Sequence, residues 1–74
     1  MEEIIRRITS DPEKCGGQPC IRGMRIRVSD ILELYSAGLS SEHIIEEMPD
    51  LEQEDLKAAL IYASRKIDHP IIAA

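Results

Sequence analysis

The chain has 74 residues and a formal net charge of −5, with 43% hydrophobic and 31% charged residues. This length allows one small domain, and the balance of hydrophobic and charged residues excludes a disordered chain. An acidic chain without Trp or Phe lacks the positive charge and the aromatic platforms on which many nucleic-acid-binding modules depend.

The sequence favours a cytoplasmic protein without a membrane segment. Its longest wholly apolar run, 58–63, has six residues, far short of the roughly 20 that span a bilayer. The opening Met1-Glu2-Glu3 is unlike a secretory signal. In a reducing compartment we expect Cys15 and Cys20 to be thiols.

The first 28 residues are predicted to be irregular or rich in β-structure. The isoleucines at 4, 5 and 8 favour strands and precede a turn signal at 10–12. Two segments, 20–21 and 24–28, flank Gly23, which suits a tight turn. Because apolar and basic residues alternate over 25–28, we expect a small ribbon with Arg25 and Arg27 on one face.

Three amphipathic helices are predicted for most of the remaining chain. Apolar residues recur at helical spacing, and serine, acidic, glycine and proline residues mark the ends. In order, the helices are bounded by Ser29 and Gly38, by Ser40 or Ser41 and Pro49, and by Glu52 and about Ile67.

The predicted fold is mainly α: a three-helix, helix-turn-helix-like (homeodomain-like) bundle preceded by a short β ribbon. We expect residues 1–74 to form one domain. It would consist of an arm and ribbon over 1–28, a three-helix body over 29–69 and a tail over 70–74.

The sequence predicts no catalytic residue, no metal and no cofactor. Cys15 and Cys20 lack the spacing of redox pairs and zinc knuckles. No glycine-rich phosphate loop meets its pattern, and no Ser, His and acidic residue suggest a triad. Glu42 and Glu46 lie one helical turn apart, but charge runs on small helices are usually solvated faces.

A cluster of arginines is the sharper signal. Arg22, Arg25 and Arg27 fall within six residues, and Arg6 and Arg7 precede the ribbon. A guanidinium makes bidentate contacts to phosphate or to carboxylate. The arginines therefore suit a DNA backbone, an acidic pocket on another protein, or the chain's own surplus carboxylates.

The run Gly17-Gln-Pro-Cys-Ile-Arg-Gly-Met-Arg-Ile26, within 8–28, resembles domain-of-unknown-function family 433. The resemblance continues at 30–34, 37–40, 49–51 and 55–60, and covers roughly 8–64. It implies a compact fold with a short β ribbon and a helix-turn-helix-like body. Family members are often regarded as VapB-type antitoxins, commonly paired with a toxin that resembles a PIN-domain nuclease.

We therefore expect a non-enzymatic, antitoxin-like regulatory protein that binds and neutralises a PIN-like nuclease toxin, and that is compatible with repression of its own operon. The alternatives are a DNA-binding transcriptional regulator without a toxin partner and a plain oligomerisation module. In each case the small core favours a homodimer. The residues expected to bind partner or DNA are Arg22, Arg25, Arg27, Arg6 and Arg7, with Gly17, Pro19 and Gly23 setting the geometry of the ribbon.

The charge is divided unevenly along the chain. Residues 1–28 carry six basic and four acidic residues, whereas 29–74 carry three basic and ten acidic residues. The third helix begins with Glu52, Glu54 and Asp55, which phosphate would repel, so that Gln53 and Lys57 remain as its candidate DNA contacts. If DNA is bound, the arginine ribbon is expected to lead.

Overall fold

The computed structural model describes residues 2–67, and the chain begins there with one turn of helix followed by a β-hairpin. Helix α1 (Glu2–Ile5) leads into strand β1 (Ile8–Asp11), which pairs antiparallel with strand β2 (Lys14–Ile21). The Asp11 carboxylate accepts a hydrogen bond from the Glu13 N–H at 2.9 Å. This local bond stabilises the tight connection between the strands.

The two strands are unequal in length, so the hairpin contains a bulge. Ile8 pairs with Ile21 and Ser10 pairs with Pro19, but the next pair is Asp11 with Lys14. Residues 15–18 are therefore extra on the β2 side, and the register shifts there. An excursion of this kind bends the strand that carries it.

This arrangement corrects the predicted position of the ribbon. Ile4 and Ile5 lie in α1 rather than in a strand, because α1 packs against the last helix and this contact outweighs their β-propensity. Around Gly23 the structure has a tight turn and a single bridge, between Cys20 and Arg27, instead of a paired hairpin. The alternation predicted for 25–28 is seen only at its ends, since Arg25 is exposed and Val28 is buried whereas Ile26 and Arg27 are both half-buried.

Three helices follow, as the sequence predicts: α2 (Val28–Ser36), α3 (Ser41–Glu47) and α4 (Gln53–Lys66). The predicted cap of α3 is correct, because the Ser40 hydroxyl accepts a hydrogen bond from the His43 N–H at 3.2 Å. The predicted cap of α2 is wrong. Helix α2 begins two residues earlier than a Ser29 cap would allow, with Arg27 as its N-cap, and Ser29 is exposed inside the helix.

Helix α2 ends in a Schellman motif at Gly38. Gly38 has a φ of +95°, a conformation that glycine adopts without a Cβ penalty. The Gly38 N–H donates to the Tyr35 carbonyl at 2.9 Å, and the Leu39 N–H donates to the Leu34 carbonyl at 3.2 Å. These bonds satisfy carbonyls that the helix end would leave unpaired.

The hydrophobic core lies where β2 and the three longer helices meet. Its buried members are Ile21, Val28, Ile31, Ile44, Leu51, Leu56 and Ala59. In and next to α4, Leu56, Ala58 and Ala59 are buried, whereas Leu60 and Ile67 remain 45% and 66% exposed. The face of α4 that packs against the core is therefore the one that carries Leu56, Ala58 and Ala59.

Over residues 2–67 the protein is a small α/β fold with four helices and one two-stranded antiparallel hairpin. In that range no helix combines the length and the apolar character that crossing a membrane requires. The predicted tail, 70–74, lies outside the described residues.

Candidate partner-binding site

The turn that follows β2 presents the motif arginines. Arg22 and Gly23 have φ values of +45° and +72°, as the two central residues of a type I′ turn require. The Met24 N–H closes the turn on the Ile21 carbonyl at 2.7 Å, and the Ile21 N–H donates to the Ile26 carbonyl at 2.9 Å. We call residues 21–27 the arginine turn.

Strand β1 and the residue before it hold the arginine turn from the other side. The Gly23 N–H donates to the Thr9 hydroxyl at 2.9 Å. The Arg22 N–H donates to the Arg7 carbonyl at 2.7 Å. Both backbone N–H groups of the turn's central residues are therefore paired, which stabilises the left-handed conformation of a non-glycine residue.

Asp55, in the first turn of α4, is the centre of an ion-pair network. Its side chain is fully buried. One carboxylate oxygen accepts from Arg7 Nη1 and Arg22 Nε, both at 2.9 Å. The other accepts from Arg22 Nη2 and from the backbone N–H of Glu52, both at 2.8 Å. The network joins the arginine turn and the residues before β1 to the start of α4.

Burial by itself raises the pKa of Asp55, but the hydrogen bonds from Arg22, from the Glu52 N–H and from Arg7 outweigh it, so the pKa lies below the usual value. The same carboxylate raises the pKa of Arg22. Arg22 also donates from Nη2 to the Asp50 carbonyl at 2.9 Å. Asp55, Arg22 and Arg7 are therefore all charged at neutral pH.

Arg27 forms a smaller pair of the same type with Asp30. Arg27 Nη2 and an Asp30 oxygen are 2.8 Å apart, and the Arg27 N–H donates to the other oxygen at 3.0 Å. The hydrogen bond from Arg27 lowers the pKa of Asp30 more than burial raises it. Helices α2 and α4 thus begin alike, with an aspartate in the first turn that accepts from the N-cap N–H and from an arginine side chain.

The five candidate arginines therefore divide into two groups. Arg7, Arg22 and Arg27 form ion pairs with aspartates, although their side chains stay 28%, 37% and 43% exposed. Arg25 and Arg6 are exposed, and the side chain of neither forms a hydrogen bond or ion pair with another residue in the range 2–67. Arg25 lies on the arginine turn itself, while Arg6 follows α1.

The predicted turn residues lie next to this site and contribute in different ways. Gly17 has a φ of +82° within the bulge of β2, and its carbonyl accepts from the Ser10 hydroxyl. Pro19 pairs with Ser10 where the bulge ends.

The sulfurs of Cys15 and Cys20 lie in bonding contact as a disulfide across the bulge, which differs from the expected pair of thiols.

Gln53 and Lys57, the candidate DNA contacts, are exposed on α4 and line an open groove of about 400 Å³. Ile4, Tyr35 and Leu60 also line it. In the described part of the chain no group of three His, Cys, Asp or Glu side chains is placed to hold a metal ion.

The sequence interpretation missed Asp55 as the partner of two arginines and treated it as an exposed acidic residue. Glu52 and Glu54 are exposed, as expected, but the charge of Asp55 is compensated within the fold. A sequence signal exists for the capping contact of Asp55, though not for its arginine partners, because Asp30 and Asp55 each lie three residues after an N-cap residue. A side chain at that position can reach back to the N-cap N–H.

The described geometry coincides with the part of the chain that matches known proteins. A family model described as "Protein of unknown function (DUF433)" matches residues 8–63. The uncharacterized protein y4eO of Sinorhizobium fredii is 41% identical over 56 residues, which are 76% of this chain and 25% of that protein. The crystal structure of a DUF433 member from Anabaena variabilis superposes with a TM-score of 0.77 at 31% identity, and covers 86% of this chain and 63% of that one.

The matched region contains both strands, the arginine turn and most of α4. The chain spans about a quarter of the length of the curated relative and less than two thirds of the solved chain. Because the family model covers well over half of its residues, the chain belongs to the DUF433 family.

Proposed function

We propose that this protein is an antitoxin-like regulatory protein that binds a PIN-like nuclease toxin and blocks its active site with Arg25. The observation that carries the proposal is the exposed Arg25 guanidinium, which has no ion-pair partner in the range 2–67 and lies on a turn held at several points. A side chain on a fixed backbone loses less conformational freedom on binding.

The chemistry of the expected partner suits an arginine. A PIN-like active site is a cluster of carboxylates around a divalent metal. A guanidinium can bind such carboxylates in a bidentate manner and so occupy the oxygens that the cation needs. Arg22 and Arg27 flank Arg25 in the arginine turn, and their side chains stay partly exposed although each is paired with an aspartate.

The remaining arginines act as supports in this proposal. Arg22 and Arg7 bind Asp55, and Arg27 binds Asp30. Substituting any of these three changes the fold as well as the surface. Arg25→Ala is therefore the informative variant, and Lys57→Ala, which removes an exposed cation from α4, is its matched control.

The proposal requires the adjacent open reading frame to encode a nuclease, and it is tested by co-expression with that product, followed by co-purification and a nuclease assay. Losing one partner of a buried interfacial charge pair costs about 2–5 kcal/mol, so we expect Arg25→Ala to weaken the complex at least about 30-fold. Lys57→Ala should bind like the parent protein. Full inhibition by Arg25→Ala, with unchanged affinity, would contradict the role of Arg25.

A second candidate function is DNA binding by a helix-turn-helix-like arrangement of α2, α3 and α4. It is favoured by the short connections between these helices and by the exposed Gln53 and Lys57 at the start of α4. The internal pairing of Asp55 also removes one repulsive charge there. A gel shift on the promoter of its own operon at two salt concentrations tests this function, because phosphate-led binding weakens steeply with salt.

We further propose that the protein acts in the cytoplasm as a homodimer, since a core of this size gains stability from association. The exposed Leu60 and Ile67 are apolar surface that a second copy could cover. Sedimentation equilibrium at micromolar concentration should show the dimer. A monomer under those conditions would contradict the homodimer and would also count against the alternative of a plain oligomerisation module.

A further inference from the structure

Strand β1 is paired along one edge only. In an antiparallel pair, alternate residues direct their N–H and C=O groups toward the partner strand, and the residues between them direct theirs away from it. The Ile21 N–H points away from β1, because it donates to the Ile26 carbonyl at 2.9 Å. Ile8 is the pairing partner of Ile21. The backbone groups of Ile8, and of Ser10 two residues later, therefore point away from β2.

These outward backbone groups of Ile8 and Ser10 accept and donate no hydrogen bond within residues 2–67. Ser10 is exposed and Ile8 is half-buried. The far edge of the hairpin differs, because Pro19 has no N–H there and Cys20 forms a bridge with Arg27. A row of unpaired backbone groups on an edge strand is a template for another strand. The open edge of this hairpin is therefore the outer edge of β1.

We propose that β1 pairs antiparallel with β1 of a second copy of this chain, around a two-fold axis at Thr9. The inference rests on the proposed homodimer and gives it an interface. In this register Ile8 of each copy lies opposite Ser10 of the other, and each such pair exchanges both N–H···O bonds. Every outward backbone group of the two residues is then used, and the two hairpins form one continuous sheet.

The charges at the ends of β1 favour a second copy in this antiparallel register. The Arg22 N–H donates to the Arg7 carbonyl at 2.7 Å, so the ladder extends to Arg7. The two-fold axis places Arg7 of one copy opposite Asp11 of the other, and opposite charges across strands are favourable. Residues 8–10, between them, carry no charge. Parallel pairing in register would instead place like charges opposite each other.

The test is sedimentation equilibrium of the full-length protein and its Ser10→Pro variant. Because the Ser10 N–H points away from β2, proline removes an outward donor without removing a bond of the hairpin. Ser10→Ala is the matched control, since it also loses the hydroxyl bond to the Gly17 carbonyl but keeps the N–H. At a concentration where the parent protein is a dimer, we expect Ser10→Pro to be a monomer and Ser10→Ala to remain a dimer.

A Ser10→Pro variant that stays a dimer would overturn this interface while leaving the homodimer intact, whereas a monomeric parent protein would contradict the homodimer itself. Leu60→Asp alters the exposed apolar surface of α4 and should leave the dimer in place. A dimer that only Leu60→Asp dissociates would overturn the pairing through β1.

Amide hydrogen exchange of the parent protein decides the matter if circular dichroism shows that Ser10→Pro does not fold. The Ile8 and Ser10 amides should exchange slowly at concentrations that favour the dimer and faster on dilution. Fast exchange of both amides in the dimer would overturn the proposal.

Discussion

Replacing Asp55 by asparagine should destabilise the fold strongly, although the two side chains have nearly the same shape. The four hydrogen bonds that Asp55 accepts are divided equally between its two oxygens. In Asp55→Asn an amide NH2 group replaces one of the two oxygens. It faces the N–H donors that this oxygen accepted from, so two of the four bonds are lost. The other two lose the charge that strengthens them.

The expected cost follows from this count of hydrogen bonds. A hydrogen bond to a charged group contributes about 1.5–3 kcal/mol, and breaking a buried ion pair costs about 3–5 kcal/mol. Because both arginines keep part of their surface in water, we expect about 3 kcal/mol for Asp55→Asn. For a domain of this size, that lowers the melting temperature by roughly 12–24 °C.

The assay is urea and thermal unfolding followed by circular dichroism of the helices. Glu52→Gln is the matched control, because Glu52 pairs with Arg7 at 2.7 Å while 58% of its side chain is exposed. An exposed pair contributes at most about 1 kcal/mol. If Asp55→Asn and Glu52→Gln lose equal and small amounts of stability, the buried network does not hold the arginine turn to α4.

The remaining predictions concern acid stability, a helix cap and the arginine turn. The pKa of Asp55 is lower in the folded than in the unfolded protein. The stability that its ionised form contributes should therefore be present above about pH 4 and be lost as the pH falls through the folded pKa. In acid unfolding curves, Asp55→Asn should show a smaller loss of stability over this pH range. Ser40→Ala should cost about 1 kcal/mol in urea unfolding, whereas Ser29→Ala, at the cap position that the sequence predicted wrongly, should change stability by less than about 0.5 kcal/mol. Gly23→Ala places a Cβ at a φ of +72° and should cost about 1–2 kcal/mol in the same assay; no measurable loss would argue against the left-handed turn.

The helices were the most predictable part of the fold because their signals are local. The serine at 40, the glycine at 38 and the proline at 49 each act within one turn of chain, and the three helix bounds agree with the structure within two residues. The prediction of Ser29 as the cap of α2 is wrong because the Asp30 carboxylate accepts from the Arg27 N–H, which allows the helix to begin before Ser29.

The hairpin and the arginine network were harder to predict because they depend on distant contacts. The isoleucines at 4 and 5 favour a strand by propensity, but packing against α4 makes their segment helical. Nothing in the local sequence around Arg22 reveals a partner 33 residues later in Asp55. The sequence therefore shows arginines close together along the chain but does not distinguish those that pair with aspartates from those that do not.

That division matters for the proposed function, since it leaves Arg25 as the arginine of the turn whose side chain has no ion-pair partner in the range 2–67. It also reduces the weight of the acidic start of α4 as an argument against DNA, because Asp55 is internally compensated. The basic residues of 1–28 and the acidic residues of 29–74 thus partly neutralise each other through these ion pairs.

The most direct test of the account is a calorimetric titration of Mn²⁺ into the nuclease-like partner, alone and in complex with this protein. If Arg25 occupies the carboxylates of the partner's active site, the parent complex should take up no Mn²⁺ at that site. The complex with Arg25→Ala, formed at saturating concentration, should bind Mn²⁺ as the free nuclease does. Equal Mn²⁺ uptake by the free nuclease and by the parent complex would contradict the proposed mechanism.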